Sequence, residues 1–245
     1  MIDGHAHLNE IQEIDQAVKK AKAVGIRGIV AVGMDIHSNR ETLSLARRFP
    51  GFVHPAIGYH PWSITLEGID ENLAFIEANI RACVAIGEVG LDYGAKAKKK
   101  IQRGVFEKIL DIAKRHDRPV IIHSRYSHQR TYSMTREAGI ERAVFHWYSG
   151  PTDVLEGVLS SGYFISATPA LAYRPPHQEA MKIAPLEQIL IETDSPVVYQ
   201  GKRSEPADLV MPPRELSRIR SIPSEEVARI TAAIIDGEKV VQNGR

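Results

Sequence analysis

Eight short apolar runs, alternating with stretches of helical pattern, constrain this chain more than any other feature of it. The first lies within residues 1–7, and the others cover 25–33, 53–58, 83–89, 119–124, 143–147, 163–167 and 188–193. Each is short and apolar, mostly rich in β-branched residues, which marks a strand buried on both faces rather than a helix. Helical patterns cover about 10–24, 38–48, 70–80 and 100–116, and two more at 212–220 and 224–235 close the chain. Gly25 is placed to end the first helix and Ser38 to cap the second. Val105, Ile109, Ile112 and Ala113 share one face of the fourth. Strands alternating with helices imply a parallel sheet, because a parallel pair needs a crossover of a dozen or more residues. Eight such units in 245 residues favour a TIM-type (β/α)8 barrel, with some distortion allowed, over an open doubly wound sheet. No glycine-rich phosphate loop follows the first strand, so a dinucleotide-binding version has little support. With no break in composition to mark a linker, a single domain over 1–245 is expected.

Charge and cysteine content narrow the function classes. Thirty-one Lys and Arg against 30 Asp and Glu leave a formal net charge of +1, so attraction to nucleic acid must be local rather than global. The one cysteine, Cys83, excludes an intrachain disulfide and fits a reducing compartment. It lies in an apolar strand, where a buried and inert thiol is expected. No leader is read at the N-terminus, where Asp3, His5 and His7 come at once, and no apolar run is long enough for a bilayer. A cytoplasmic location without membrane association is expected, and no obligate protein partner is evident.

The chemistry gathers at strand ends. His5 and His7 are one residue apart on a strand, and a period of two turns both imidazoles to one face. Two such imidazoles are a metal-binding pair; the alternative is a polar N-terminal loop. His60, Glu88, His123, His146 and Asp194 are read at or just beyond the ends of strands three, four, five, six and eight. In a barrel those ends meet at one mouth, where active sites of this fold lie. His54, His116 and His177 fall elsewhere and are left as ordinary structural histidines. Leaving His60 aside as neither placed nor spaced for a ligand, four imidazoles and two carboxylates remain. That is more than one tetrahedral ion needs, and suits two divalent ions sharing a carboxylate. Nitrogen and oxygen donors without thiolate admit zinc, manganese or magnesium. Coordination would bring the pKa of a water towards ~7 and make hydroxide available for hydrolysis.

Several segments carry a resemblance. They are Asp-Gly-His-Ala-His-Leu (3–8), Gly-Tyr-His-Pro (58–61), Gly-Glu-Val-Gly-Leu-Asp-Tyr (87–93), Val-Ile-Ile-His-Ser-Arg (120–125), His-Trp-Tyr-Ser-Gly (146–150), Glu-Thr-Asp-Ser-Pro (192–196) and Arg-Ser-Glu-Pro-Ala (203–207). In this order the chain resembles the TatD-like metal-dependent hydrolases, the TatD-related deoxyribonucleases of the amidohydrolase superfamily. The resemblance implies a distorted TIM barrel and metal-dependent phosphodiester hydrolysis, mainly on DNA. It also implies that His5, His7, Glu88 and Asp194 hold one metal and that Glu88, His123 and His146 hold the second. Trp147-Tyr148 stands where the family usually has Cys-Phe, and the loop after Tyr93 is short and rich in lysine. Such departures bear on the substrate, which strand-end loops select, and not on the metals.

Around the mouth, Arg125 could clamp a phosphate with its planar fork or pair with a carboxylate such as Asp92. His60 could bond substrate or the barrel rim. Lys96, Lys98, Lys99 and Lys100 could follow a nucleic-acid backbone or form a solvated helix start. Trp147 and Tyr148 could stack bases, or pack in the core. A two-metal phosphodiesterase, with Asp194 handling the proton of the attacking water, is the leading function. The alternative is a metal-dependent hydrolase of amides, lactones or esters. A binding protein without turnover is the third, disfavoured by the complete ligand set. Many relatives in this superfamily bridge their ions with a carbamylated lysine. No lysine occurs in any of the eight strand runs here, which leaves Glu88 as the strand-borne group to do so.

Overall fold

In the computed structural model, which describes residues 1–229, the apolar runs become eight parallel strands in sequential order. They are β1 (Ile2–Ala6), β2 (Gly28–Val32), β3 (Val53–Ile57), β4 (Ala85–Asp92), β5 (Val120–Arg125), β6 (Ala143–Phe145), β7 (Phe164–Ala167) and β8 (Ile189–Ile191). Each is followed by a helix: α1 (Ile14–Ala23), α2 (Ile36–Arg48), α3 (Ile69–Asn79), α4 (Lys99–Arg115), α5 (His128–Glu137), α6 (Thr152–Ser160), α7 (Pro175–Ile183) and α8 (Met211–Arg220). The sheet closes where β1 meets the segment after β8. Ala6 bridges Ser195 in parallel, the His7 N–H donates to the Ser195 carbonyl at 2.7 Å, and the Asp194 N–H donates to the His5 carbonyl at 2.9 Å. The fold is therefore the expected TIM-type barrel. It is distorted: β6 and β8 are three residues long, and the register slips between Asp3 and Ala6 in β1 and between Ile86 and Val89 in β4.

The two faces of the strands can be told apart by what they touch. Ile29, Ala31, Ile57, Ile86, Val120 and Ile122 share a cluster with helix residues such as Val18, Leu43, Ile76 and Ile109. Val32, Ala56, Ala85 and Ile121, with Val30, form a second cluster that contains no helix residue, so it is the barrel interior. His123 is two residues beyond Ile121 and shares its face, which aims it into the barrel above that floor. Gly87 lies in the same interior layer, where a Cβ would come within 2.6 Å of the Ile121 Cβ. At Gly90, with φ +142°, a Cβ would lie 2.0 Å from the His123 carbonyl oxygen. That close approach brings the ends of β4 and β5 together.

Some boundaries differ from the sequence reading. The first helical stretch is a short turn (Leu8–Glu10) followed by α1. Helix α2 starts two residues before Ser38; Asp35 is its cap, and Ser38 closes a reciprocal capping box from inside the first turn. β4 runs three residues further than 89, so Glu88 lies within the strand rather than at its end. The sequence pattern assigns no helix to the ranges of α5, α6 and α7, which the structure adds. A small hairpin, β9 (Val198–Tyr199) with β10 (Lys202–Arg203), follows β8 and turns at Gln200 and Gly201, both at positive φ. Of the last helical run, 224–229 is helical and the remainder lies outside the described residues. Among those described, no helix is long and apolar enough to cross a membrane.

Candidate metal centre

Strand geometry delivers the first group of side chains. His5 is in β1 and His7 just beyond it, and their Nε2 atoms come within 3.3 Å of each other. Asp194, whose backbone is left-handed at φ +50°, turns its Oδ1 to 3.5 Å from both. Glu88 Oε2 lies 3.5 Å from His5 Nε2 and 3.4 Å from His7 Nε2. A tetrahedral ion with ligands at ~2.0–2.2 Å needs ligand atoms roughly 3.3–3.5 Å apart, so these separations fit a divalent cation. The Nδ1 atoms of both histidines are buried with no hydrogen-bond partner. The two imidazoles are thus held by their strand and by the contacts of their Nε2 atoms with each other, Glu88 and Asp194.

The other oxygen of Glu88 faces a second group. Oε1 lies 2.8 Å from His123 Nδ1 and 2.9 Å from His146 Nε2. Here the far ring nitrogens are also held: His123 Nε2 lies 3.3 Å from Asp92 Oδ2, and His146 Nδ1 lies 3.2 Å from Glu192 Oε1. A carboxylate behind a ligating histidine fixes its tautomer and ring angle, an arrangement typical of metal sites. Burial alone would raise the Glu88 carboxyl, but the surrounding histidines, His60 and His146 first, hold it well below the usual carboxylate range. Burial raises the Asp194 carboxyl.

His60 joins the same cluster: with Glu88 and His123 it offers donor atoms within 4.8 Å of one another, a spacing able to hold an ion that the sequence reading did not assign to it. Its Nδ1 accepts the Trp62 N–H at 3.2 Å, so its proton is on Nε2, which lies 3.4 Å from Glu88 Oε1. Burial pushes His60 down to about 4, keeping the ring neutral. It is a buried N–H donor facing Glu88 Oε1. His54, His116 and His177 join none of the ligand groups, and burial pushes the Cys83 thiol up to about 12, as an inert core cysteine requires.

A profile of the TatD-related DNase family matches residues 2–236. The chain belongs to the TatD-related DNase family. Among the relatives of this TatD chain is human deoxyribonuclease TATDN3, 33% identical over 94% of the chain and 91% of the relative. An uncharacterized metal-dependent hydrolase of Bacillus subtilis, YabD, is 30% identical over 94% of the chain and 95% of its own length. The crystal structure of the TatD homologue YjjV from Escherichia coli superposes with a TM-score of 0.87 at 25% identity, covering 96% of this chain and 95% of that one.

In this TatD-related chain the surroundings of the cluster depart from the sequence reading. Arg125 takes the ion pair offered as its alternative, with Nε 2.9 Å from Asp92 Oδ2, yet its side chain stays 49% exposed at the mouth. Asp92 also accepts from the Trp62 indole N–H and the Gly94 N–H, and the buried amide of Gln102 clamps its backbone N–H and C=O at 2.8 and 2.7 Å. Burial would raise Asp92, but the bonds from His123, Trp62 and Arg125 hold it far below the carboxylate range. Tyr148 cannot stack a base: it is fully buried and donates its hydroxyl to the Pro151 carbonyl. Trp147 is half-buried and packs on Tyr199. The exposed aromatics at the mouth are instead Trp62 and Tyr126. The four lysines are exposed, Lys96 and Lys98 ahead of α4 and Lys99 and Lys100 in its first turn, with Lys99 over the Tyr93 ring.

Three positioning residues had little signal. Glu192 and Asp92 stand within the motifs quoted above, but only contact shows that they hold His146 and His123. Asp3 is fully buried, accepts from the Thr193 N–H and hydroxyl at 2.9 and 2.6 Å and from the His5 N–H at 3.3 Å, and so ties β1 to the segment that carries Asp194. Left-handed backbone at Tyr126, Trp147 and Asp194, each close after a strand of the mouth, costs ~1–3 kcal/mol apiece and persists only where packing enforces it.

Proposed function

We propose that this chain is a two-metal phosphodiesterase that cleaves DNA. The observation that carries the reading is the divided Glu88 carboxylate, with Oε2 toward His5 and His7 and Oε1 toward His123 and His146. His5, His7, Asp194 and Glu88 would hold one divalent ion, and Glu88, His123 and His146 the other; zinc, manganese and magnesium all suit the donors. Such ions lower the pKa of a water and stabilise charge on the leaving oxygen when bound. The chain's own residues do the rest. Asp194, at the mouth beside both histidines of its group, accepts or positions the proton of the attacking water. Arg125, anchored through Nε, keeps the remainder of its guanidinium free to orient a non-bridging phosphate oxygen. His60 offers its Nε2–H at the bridge to a substrate oxygen. The lysines at 96–100 extend the positive surface along α4, where a nucleic-acid backbone can follow.

The family and the naming of a relative as a deoxyribonuclease support DNA as the substrate. One buried cysteine supports a cytoplasmic setting, and the continuous barrel supports one domain. The test is hydrolysis by metal-reconstituted protein of end-labelled single-stranded DNA beside a panel of esters and lactones. Chelator-sensitive cleavage of the DNA is the expected result. Turnover of lactones or esters with intact DNA would move the reading to acyl hydrolysis.

A further inference from the structure

The exposed ring surface at the mouth is organised by a carboxylate that also touches the proposed metal centre. Trp62 is 58% exposed and Tyr126 is 74% exposed, the two most exposed aromatics among the large apolar side chains described. Between them lies Arg125, its guanidinium carbon 5.5 Å from the Trp62 ring centroid and 5.7 Å from that of Tyr126. Three donors converge on Asp92 Oδ2: the Trp62 indole N–H, the Arg125 Nε–H and His123 Nε2. The Trp62 ring meets His60 and His123 edge to face, at 4.8 and 5.8 Å between centroids. Gly94 fits against Arg125 and Tyr126, where a Cβ would meet them at 3.2 and 3.4 Å. The loop after β4, with Tyr93 under Lys99, is thereby continuous with this surface.

These are rings held beside a cation at fixed distance from the ligand groups, and their outer faces are open. A cation interleaved with aromatic faces is how single-stranded nucleic acid is held without sequence readout, since every base has a π-face and every linkage a charge. An ester or lactone need carry neither a base face nor a phosphate. We propose that Trp62, Arg125 and Tyr126 form a platform on which an unpaired nucleobase next to the scissile phosphodiester stacks. The proposal rests on the phosphodiesterase reading and adds that the enzyme grips the base as well as the phosphate. Asp92 makes the platform and the His123 side one unit, so a seated base fixes the distance from its own phosphate to the centre.

The chain has two tryptophans, so Trp147→Phe leaves Trp62 as the sole indole reporter. Metal-loaded protein of this form is titrated with an octamer of thymidylate and with an octamer of the same length whose residues are all abasic. Trp62 fluorescence is expected to be quenched by the first and not by the second. The base-bearing octamer should bind about 5- to 150-fold tighter, the range for one stacked base. In the parent enzyme, Trp62→Leu should erase that ratio, while Trp62→Phe, which keeps a ring but loses the bond to Asp92, should retain most of it. Tyr126→Leu should reduce it less than Trp62→Leu. Equal binding of the two octamers, no quenching, or a ratio unmoved by Trp62→Leu overturns the platform. Failure of the phosphodiesterase reading looks different: quenching without cleavage of either octamer.

Discussion

The two halves of the mouth hold their histidines in opposite ways. His5 and His7 owe their placement to a strand, and their Nδ1 atoms are left without partners. His123 and His146 have both ring nitrogens engaged, one by Glu88 and the other by Asp92 or Glu192. The first half is held at its backbone, through Asp3 and the barrel seam; the second is held at its rings. The difference teaches that one cluster combines two kinds of preorganisation. Backbone support sets where an imidazole starts, whereas a carboxylate behind the ring also sets its tautomer and raises its basicity. The second half should therefore bind its ion with the ring geometry already fixed, and the first should depend on the ion itself to fix its rings.

The largest expected effect falls on the first half. Asp194→Asn should lower turnover by about 10³-fold or more, because it would weaken the proposed ligand and remove the group proposed to handle the proton. Its thermal midpoint should stay close to wild type, since the Asp194 N–H bond to His5 is a backbone bond. Rates near wild type would remove Asp194 from the mechanism. Next come the carboxylates behind the second half. Asp92→Asn and Glu192→Gln should each cost about 10- to 100-fold in affinity for one ion, read by metal titration, and leave the other ion little changed. Equal losses at both ions would erase the contrast between the halves.

This contrast also explains what the sequence could and could not reveal. His5-x-His7 follows from strand periodicity, a local property, and the barrel follows from eight such runs in order. Glu192 and Asp92 are separated from the histidines they hold by 46 and 31 residues, so only closure of the barrel brings them together. Trp147 and Tyr148 adjoin His146, so base stacking and core packing are both open from the sequence; the bond from Tyr148 to Pro151 buries that ring, and Trp147 packs half-buried on Tyr199. Trp62 lies in a loop with no periodicity, and its exposure depends on where His60 and Asp92 place it. Helix α5 carries a mostly polar sequence, while α6 and α7 are nine residues each, too short for their apolar spacing to stand out.

A smaller effect sharpens the second half through acid. His177 supports the loop after His146: its Nδ1 donates to the Tyr148 carbonyl at 2.7 Å and its Nε2 accepts the Thr168 N–H at 3.2 Å. Burial pushes it from 6.5 down to about 4. The unfolded chain therefore takes up this proton first as pH falls. The contribution of His177 is complete above 6.5 and is lost on the way down through about 4, at a cost of roughly 3 kcal/mol. Urea denaturation between those values should show that loss in wild type and much less of it in His177→Gln. The same slope in both would mean that other groups carry the acid limb.

The most direct test of the account is a count of ions around Glu88. Elemental analysis and titration of reconstituted protein should give two divalent ions per chain. Glu88→Gln should lose at least one of them together with most activity, and added bicarbonate should leave wild type unchanged because no lysine carbamate is involved. Wild type that binds no ion after reconstitution, or Glu88→Gln that keeps both, would contradict the claim that this carboxylate joins the two halves of the site.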